Sequence, residues 1–159
     1  MTTRTLCFLL RDGRALLAYK KLGFGAGKYG GAGGKVEVGE TPAQAAVREL
    51  AEETGVHVRE QDLRRMARLT FLFPARPSWS QVVHVFVTGT WCGRPSESRE
   101  IRPAWFDLHD LPLDRMWQDA RYWLPDVLAG RPVRMRFVYG PDNETIREMQ
   151  REDWPGDEE

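Results

Sequence analysis

The sequence has little cysteine, no excess of charge of either sign and no long apolar run. Its two cysteines, Cys7 and Cys92, are far apart and form no C-x-x-C motif, which argues against a disulfide or zinc site and favours reduced packing residues. Lysine plus arginine and aspartate plus glutamate both total 23, so no basic surplus exists to hold a long nucleic acid. The apolar runs are only strand-sized and no signal-peptide pattern is visible, so we expect a cytoplasmic protein without membrane spans.

Length and composition predict one globular domain. With 159 residues, 42% of them hydrophobic, the chain can bury a sizeable core. We assign residues 1–150 to this domain. Residues 151–159 are predicted to form a disordered acidic tail, because this segment is charged and broken by Pro-Gly. The sequence does not give the oligomeric state, although it is compatible with a monomer.

Local patterns predict a mixed α/β fold. Two strands, 5–10 and 15–20, flank the Asp12-Gly13 hairpin signal. A second helix is expected from near Gln118 to Ala129, with Pro125 inside it. Further strands are predicted at 68–73, 81–91 and 133–139, with a short one opening at Trp105-Phe106 and a last element after 141–143. Because strands outnumber helices and the first pair is antiparallel, we expect a mixed sheet with helices packed on its faces.

A glycine-rich segment follows the second strand. Between Gly23 and Gly34 seven of twelve residues are glycine. That is too many for a regular element, but it allows the backbone to approach a ligand closely. We therefore expect a ligand-binding loop here.

The first helix is predicted to start directly after Thr41. Thr41 and Gln44 form a capping-box pattern, Pro42 fits the first helical turn, and Gly55 can adopt the left-handed conformation that ends a helix. An apolar stripe would dock this helix on a sheet. The stripe consists of Ala43, Ala46, Val47, Leu50 and Ala51.

Three carboxylates, Glu49, Glu52 and Glu53, lie at i, i+3 and i+4 on this helix. Like charges at this spacing cost about 0.2–0.5 kcal/mol per pair, and the negative end of the helix dipole adds to the cost. A solvated acidic face is one interpretation. A hard cation is the other, because Mg²⁺ binds through a few carboxylates together with substrate phosphates. Beside the glycine-rich loop, the second interpretation predicts a magnesium-pyrophosphate site.

The segment 34–56 resembles the Nudix box. Its fixed positions are Gly34, Glu40, Arg48, Glu49, Leu50, Glu52, Glu53, Gly55 and Val56. Segments 20–29, 83–86, 100–106 and 116–119 are similar to the mammalian MutT homologues, which are oxidised-purine nucleoside triphosphate diphosphatases. This resemblance covers about residues 5–146. It implies a Nudix α/β/α sandwich, with a mixed sheet and helices on both faces. It also implies Mg²⁺-dependent hydrolysis, with Mn²⁺ as a substitute, of a nucleotide such as 8-oxo-dGTP to a monophosphate and pyrophosphate.

The resemblance also implies site residues. The catalytic set would be Arg48, Glu49, Glu52, Glu53 and Glu100, with Glu40 orienting Arg48. The metal would be held by Glu49, Glu52, Glu53, Glu100 and the carbonyl of Gly33. The substrate-binding set would be Thr5, Lys20, Phe24, Gly30, Gly33, Gly34, Lys35, Phe71, Phe73, Trp117, Gln118 and Asp119. Within this set, Lys20 would lie near the phosphates, Trp117 would stack on the base and Asp119 would read its edge.

Two positions depart from the resembled enzymes, which have asparagine where this chain has Gly30 and a second aspartate where it has Ala120. Two neighbouring carboxylates tend to share one proton and can then donate to a carbonyl, so base discrimination here is expected to be weaker or shifted.

Two alternative functions stay open. One is hydrolysis of another nucleoside diphosphate-linked compound, a dinucleotide or ADP-ribose, which the single-base pattern 117–119 disfavours. The other is a non-catalytic nucleotide-binding module, which the complete acidic set disfavours.

Overall fold

The computed structural model describes residues 1–155, and over these residues the chain forms nine strands and two α-helices. Their bounds are β1 Thr2–Arg11, β2 Arg14–Lys20, β3 Tyr29–Gly30, β4 Ala32–Lys35, α1 Pro42–Thr54, β5 Arg64–Leu72, β6 Gln81–Thr88, β7 Ile101–Asp107, α2 Ala120–Leu128, β8 Val133–Tyr139 and β9 Ile146–Glu152. No helix of this described part is long and apolar enough to cross a membrane.

The strands form one mixed sheet. Its order is β3-β2-β1-β6-β5-β8-β9, with β4 paired to β1 and β7 paired to β2. The pairs β1–β6 and β5–β8 are parallel, and the other pairs are antiparallel. The mixed sheet predicted from the sequence is confirmed.

The first hairpin turns where the sequence predicts it. Leu10 pairs with Ala15 across the turn, and Asp12 and Gly13 have φ angles of 54° and 74°. Positive φ at both central residues is the geometry that favours Asp-Gly in two-residue hairpin loops. The turn therefore sets the register of β1 against β2.

The alternation along β1 builds the layers of the fold. Cys7 and Leu9 pack into a core cluster with Leu50 of α1, whereas Phe8 packs into a larger cluster with Trp123 of α2. Because successive strand residues face opposite sides of a sheet, the two helices cover opposite faces. This is the predicted α/β/α arrangement.

Some predicted elements differ from the observed ones. The glycine-rich segment contains the short strands β3 and β4, because their backbones pair with β2 and β1 despite low strand propensity. The second helix begins at Ala120 and follows a separate 3₁₀ turn at Leu113–Arg115. Strand β6 ends at Thr88, earlier than the predicted Trp91.

The start of the predicted tail belongs to the sheet. Strand β9 continues through Glu152, which pairs with Arg134. The prediction of a disordered tail from residue 151 is therefore wrong for residues 151 and 152. The guanidinium of Arg65 lies 5.2 Å from the ring of Trp154. Residues 156–159 lie outside the described part, and the 1–150 domain boundary stays a prediction.

The two cysteines are free, as predicted, but only one is a packing residue. Cys7 is buried in β1, and burial raises the pKa of its thiol to about 12. Cys92 is exposed. It lies beyond the end of β6 at Thr88 and so does not occupy a core-facing position of that strand. Its predicted packing role is therefore wrong.

Candidate active site

Helix α1 carries the acidic motif and is capped as the sequence predicts. The Thr41 hydroxyl accepts from the Gln44 N–H at 3.1 Å, and the Gln44 side chain accepts from the Thr41 N–H at 2.9 Å. Gly55 ends the helix with φ 77° and donates its N–H to the Ala51 carbonyl. These local hydrogen bonds fix where the helix starts and ends, and so determine on which face of it the glutamates lie.

Arg48 joins the acidic residues of this helix to the preceding loop. Its guanidinium donates to both oxygens of Glu40 at 2.7 and 2.9 Å, to Glu49 at 2.9 Å and to Glu52 at 3.4 Å. It also donates to the Lys35 carbonyl at 3.0 Å. The hydrogen bond from Arg48 lowers the pKa of Glu40 to about 2. The guanidinium therefore holds two of the predicted ligands in place.

Glu53 is the buried member of the acidic set, with 3% of its surface exposed. One of its oxygens accepts from the Gly33 N–H at 3.0 Å. Burial raises its pKa to about 7, repulsion by Glu49 and Glu100 adds to the rise, and Lys20 and the Gly33 N–H oppose it. Glu49, Glu100 and Lys20 thus act electrostatically on Glu53, as expected if they surround one site.

Gly33 and Gly34 are required by space and not by backbone conformation. A Cβ on Gly33 would lie 1.8 Å from the Thr5 carbonyl oxygen, and a Cβ on Gly34 would lie 2.6 Å from the Glu49 carboxylate. Strand β4 therefore packs closely against both β1 and helix α1. The absence of a side chain at Gly34 leaves room for the Glu49 carboxylate.

The donor set suits a hard divalent cation, although it is not gathered into a ready cluster. Over residues 1–155, no three acidic, histidine or cysteine side chains form a metal-binding group. Arg48 donates to Glu49 and Glu52, and the Gly33 N–H donates to Glu53. Carboxylate oxygens are the ligands that Mg²⁺ prefers, and a cation would relieve the repulsion around Glu53. The residues therefore fit the ion by their chemistry.

A largely apolar cavity of about 140 Å³ adjoins this acidic site. The two share Gly33 and Gly34 in β4, which line the cavity and contact the glutamates of α1. Most of the predicted substrate-binding residues line it. They are Thr5, Lys20, Phe24, Gly30, Gly33, Gly34, Phe71, Phe73, Trp117 and Asp119.

The rings of Phe24, Phe73 and Trp117 line the cavity, and the rings of Trp79 and Tyr139 pack against them. Phe24 and Trp117 are stacked with centroids 5.3 Å apart and planes at 16°, and Phe73 stacks on Tyr139 at 4.7 Å. Trp79 meets Phe24 edge-on at 5.1 Å. Flat aromatic walls of this kind accept a planar heterocycle.

Asp119 is the buried acid of the cavity, with 5% of its surface exposed. Its Oδ1 accepts from the Tyr139 hydroxyl at 2.5 Å, and its Oδ2 accepts from the Trp123 ring N–H at 2.7 Å. Burial raises its pKa, and these two hydrogen bonds oppose the rise. Asp119 is thus held rigidly at the cavity, whereas the adjacent Ala120 adds no polar group.

Lys35 and Gln118, which were predicted to bind substrate, do not line the cavity. Lys35 is exposed at the end of β4, and its carbonyl accepts from Arg48. The Gln118 side chain accepts from the Ile146 N–H at 2.7 Å and so anchors β9. The roles of Lys35 and Gln118 in substrate binding stay predictions.

Sequence reasoning also missed cavity residues. Arg4, Leu6 and Phe8 line the cavity from β1, and their spacing by two was a signal that could have found them. Lys28 lies with its ammonium 5.0 Å from the Trp117 ring. Other missed lining residues are Ala18, Gly25, Tyr29, Gly31, Gln81, Val83, Met116 and Trp123, whereas Ala120 lines the cavity at a position the sequence comparison had singled out.

Comparison with known proteins agrees with this geometry. The NUDIX domain family matches residues 1–127. The chain belongs to the Nudix family of hydrolases. Nudix hydrolases generally use divalent metals, in keeping with the oxygen donors of α1.

This Nudix hydrolase has relatives with similarity over most of their length. It is 44% identical over 124 residues to the oxidized purine nucleoside triphosphate hydrolase of Danio rerio, covering 78% of each chain. It is 40% identical over 142 residues to the Mus musculus protein of the same name, covering 89% of this chain and 88% of that one. The crystal structure of a MutT protein from Bacillus halodurans superposes with a TM-score of 0.80 over 98% of this chain and 100% of that one, at 21% identity. That last likeness concerns the fold alone.

Proposed function

We propose that this Nudix hydrolase is a Mg²⁺-dependent nucleoside triphosphate pyrophosphohydrolase. It would sanitise oxidised purine nucleotides such as 8-oxo-dGTP by releasing pyrophosphate and a nucleoside monophosphate. The observation that carries the proposal is a complete acidic box that shares Gly33 and Gly34 with an aromatic cavity. The names of the Danio and Mus relatives support the choice of substrate.

The acidic residues would serve the phosphates. Glu49, Glu52, Glu53 and Glu100, with the Gly33 carbonyl, would hold the cation, which when bound would neutralise phosphate charge and orient the scissile bond. Arg48 would position Glu49 and Glu52 through the hydrogen bonds it already makes. Lys20, which lines the cavity and attracts Glu53, would bind an outer phosphate.

The cavity would bind the base. Stacking of a base on an aromatic side chain is worth about 1–3 kcal/mol, and Phe24 and Trp117 already stack on one another. Asp119 would read the edge of the base from its fixed position. This arrangement anchors the nucleoside at one end while the box holds the phosphates at the other, which positions the inner bond for cleavage.

The two alternative functions are less well supported by the site. The cavity offers the stacked rings of Phe24 and Trp117 and the carboxylate of Asp119. This arrangement suits one base better than the two bases of a dinucleotide. A binding module without catalysis would not need the buried carboxylate of Glu53, which costs stability in a folded protein. Both alternatives predict different products from the same assay.

A nucleotide panel tests the proposal. The wild type, Glu53→Gln and the control Glu60→Gln, an exposed residue of a 3₁₀ turn, would be incubated with Mg²⁺ and 8-oxo-dGTP, dGTP, ADP-ribose or a dinucleotide. We expect the wild type and Glu60→Gln to prefer 8-oxo-dGTP, and Glu53→Gln to lose activity while folded. Preference for ADP-ribose, or full activity of Glu53→Gln, would show that the proposal is wrong.

A further inference from the structure

Arg4 is a cation at the cavity to which residues 1–155 offer no hydrogen-bond acceptor. It shares one face of β1 with Leu6 and Phe8, which also line the cavity, and it lies closest to the start of the strand. Its backbone is opposite Lys35 of β4 on one side and Val83 of β6 on the other. The rigid pairing on both sides fixes the direction in which its side chain leaves the sheet.

The guanidinium of Arg4 is half-buried and lacks a hydrogen-bond acceptor. Its neighbours are the Phe24 ring, 5.4 Å from the guanidinium carbon, and the charge of Glu49. Among residues 1–155 no carbonyl or carboxylate accepts a hydrogen bond from it. Burial lowers its pKa. Arg48, by contrast, is bonded to several carboxylates.

An arginine with five donors and no acceptor is costly in an apolar environment. A structural arginine is normally satisfied by carboxylates or carbonyls, as Arg48 is. For the half-buried guanidinium of Arg4, an anionic group in the cavity would supply the missing acceptor.

The position of Arg4 indicates which anion. It lies near Phe24, which lines the cavity, and it also interacts with the charge of Glu49 in the acidic box. In a nucleoside triphosphate placed as proposed above, the sugar and the α-phosphate lie between the base and the outer phosphates. The α-phosphate is the charged one of these two groups, and its oxygens match the planar fork of a guanidinium.

We infer that Arg4 binds the α-phosphate and so determines affinity for the phosphorylated nucleoside independently of the base. The inference rests on the proposed function for the orientation of the nucleotide. Its consequence is specific: Arg4 contributes to binding of a nucleoside monophosphate but not of the nucleoside.

Calorimetric titration with dGMP and with deoxyguanosine tests this without turnover. The proteins would be the wild type, Arg4→Gln, Arg4→Lys and the control Arg121→Gln, an exposed arginine of α2 that loses the same charge. We expect Arg4→Gln to raise the Kd of dGMP by about tenfold or more, with the Kd of deoxyguanosine unchanged. Arg4→Lys should lose less affinity for dGMP than Arg4→Gln does, and Arg121→Gln should bind both ligands with the Kd values of the wild type.

Other outcomes overturn the inference. Equal weakening of dGMP and deoxyguanosine binding would place Arg4 at the base or the sugar, and unchanged dGMP binding in a folded Arg4→Gln variant would exclude contact with phosphate. If Arg4→Gln does not fold, equal weakening of both ligands in Arg4→Lys overturns the inference in the same way. Absence of dGMP binding by the wild type would also overturn it. If the wild type binds dGMP through Arg4 but hydrolyses no triphosphate, the proposed function fails while the role of Arg4 stands.

In hydrolysis assays the same variants give a second readout. Arg4→Gln should lower kcat/KM for 8-oxo-dGTP and dGTP by the same factor, because both nucleotides carry the same α-phosphate. A change in the ratio of the two values would contradict a role in phosphate binding. Rescue by Arg4→Lys separates charge from packing, since lysine keeps the charge but cannot form the bidentate pair.

Discussion

At the scale of single residues, Asp119 shows how the fold prepares a buried acid. Tyr139 and Trp123 each donate to one of its oxygens, and Tyr139 also accepts from the Asp119 N–H at 3.3 Å. Both partners belong to the core. The carboxylate is therefore oriented before any ligand enters, which reduces the entropy lost on binding.

Removing the Tyr139 hydroxyl tests this orientation. Tyr139→Phe leaves Asp119 Oδ1 buried without a donor, so we expect the free energy of unfolding to fall by about 1–3 kcal/mol. Urea unfolding would measure it. Tyr122→Phe, on an exposed part of α2, is the matched control and should unfold like the wild type. Equal stability of Tyr139→Phe and the wild type would contradict the account.

The base pocket provides a second residue-scale prediction. A Cβ on Gly30 would meet nothing within 4 Å, and Gly30 has no positive φ, so asparagine fits there without strain. The double variant Gly30→Asn with Ala120→Asp should raise the preference for 8-oxo-dGTP over dGTP by about tenfold or more, because each group adds roughly 1–3 kcal/mol of discrimination. Values of kcat/KM for both nucleotides measure it.

The control for this variant is Trp117→Ala. Loss of the stacking surface should weaken both nucleotides alike, because stacking does not read the base edge. An unchanged ratio in the folded double variant would mean that other residues select the base.

At the scale of elements, strand β4 connects the fold to the site. Gly33→Ala would force a methyl group into the backbone of β1, whereas Gly34→Ala would meet only the flexible end of Glu49. We expect Gly33→Ala to unfold the protein or destabilise it by several degrees in Tm. Gly34→Ala should keep a near wild-type Tm but lose most of its activity, because Glu49 is displaced. Thermal melting and hydrolysis rates of both variants check this, and a stable, fully active Gly34→Ala enzyme would contradict it.

The turn between β8 and β9 gives a prediction about pH. Asp142 accepts from the Thr145 hydroxyl and from the N–H groups of Glu144 and Thr145 at 2.6–2.9 Å, and these bonds lower its pKa to about 2. An acid with a lowered folded pKa stabilises the fold above its unfolded value, 3.8, and loses this effect as pH falls to about 2. Asp142→Ala should therefore be less stable than the wild type at pH 7, with a smaller difference at pH 2.5. Urea midpoints at both pH values decide it, and a constant difference would contradict the account.

The elements that could be predicted are those determined by neighbours in sequence. Thr41, Gln44 and Gly55 form local hydrogen bonds that fix α1, and Asp12-Gly13 fixes a turn by its own conformation. Strands β3 and β4 exist only through pairing with β2 and β1, so propensity could not reveal them. Glu49 and Glu53 could likewise be found from helical spacing. Arg4 and Tyr139 could not, because only the tertiary fold brings Arg4 to the cavity and Tyr139 to Asp119.

At the scale of the whole molecule, the sheet separates two kinds of binding surface. The aromatic cavity belongs to the core cluster beneath α2, and the acidic box lies on α1 across the sheet. Gly33 and Gly34 are the place where the two surfaces meet. A nucleotide bound as proposed would have its base and its outer phosphates held separately, with its inner phosphates at the junction.

The products of 8-oxo-dGTP hydrolysis test this central claim most directly. The wild-type protein would be incubated with Mg²⁺ and 8-oxo-dGTP, and the products would be separated by ion-exchange chromatography. A site that holds the outer phosphates together predicts pyrophosphate and 8-oxo-dGMP in equal amounts, with no reaction when the metal is chelated. Release of orthophosphate with 8-oxo-dGDP would contradict the account.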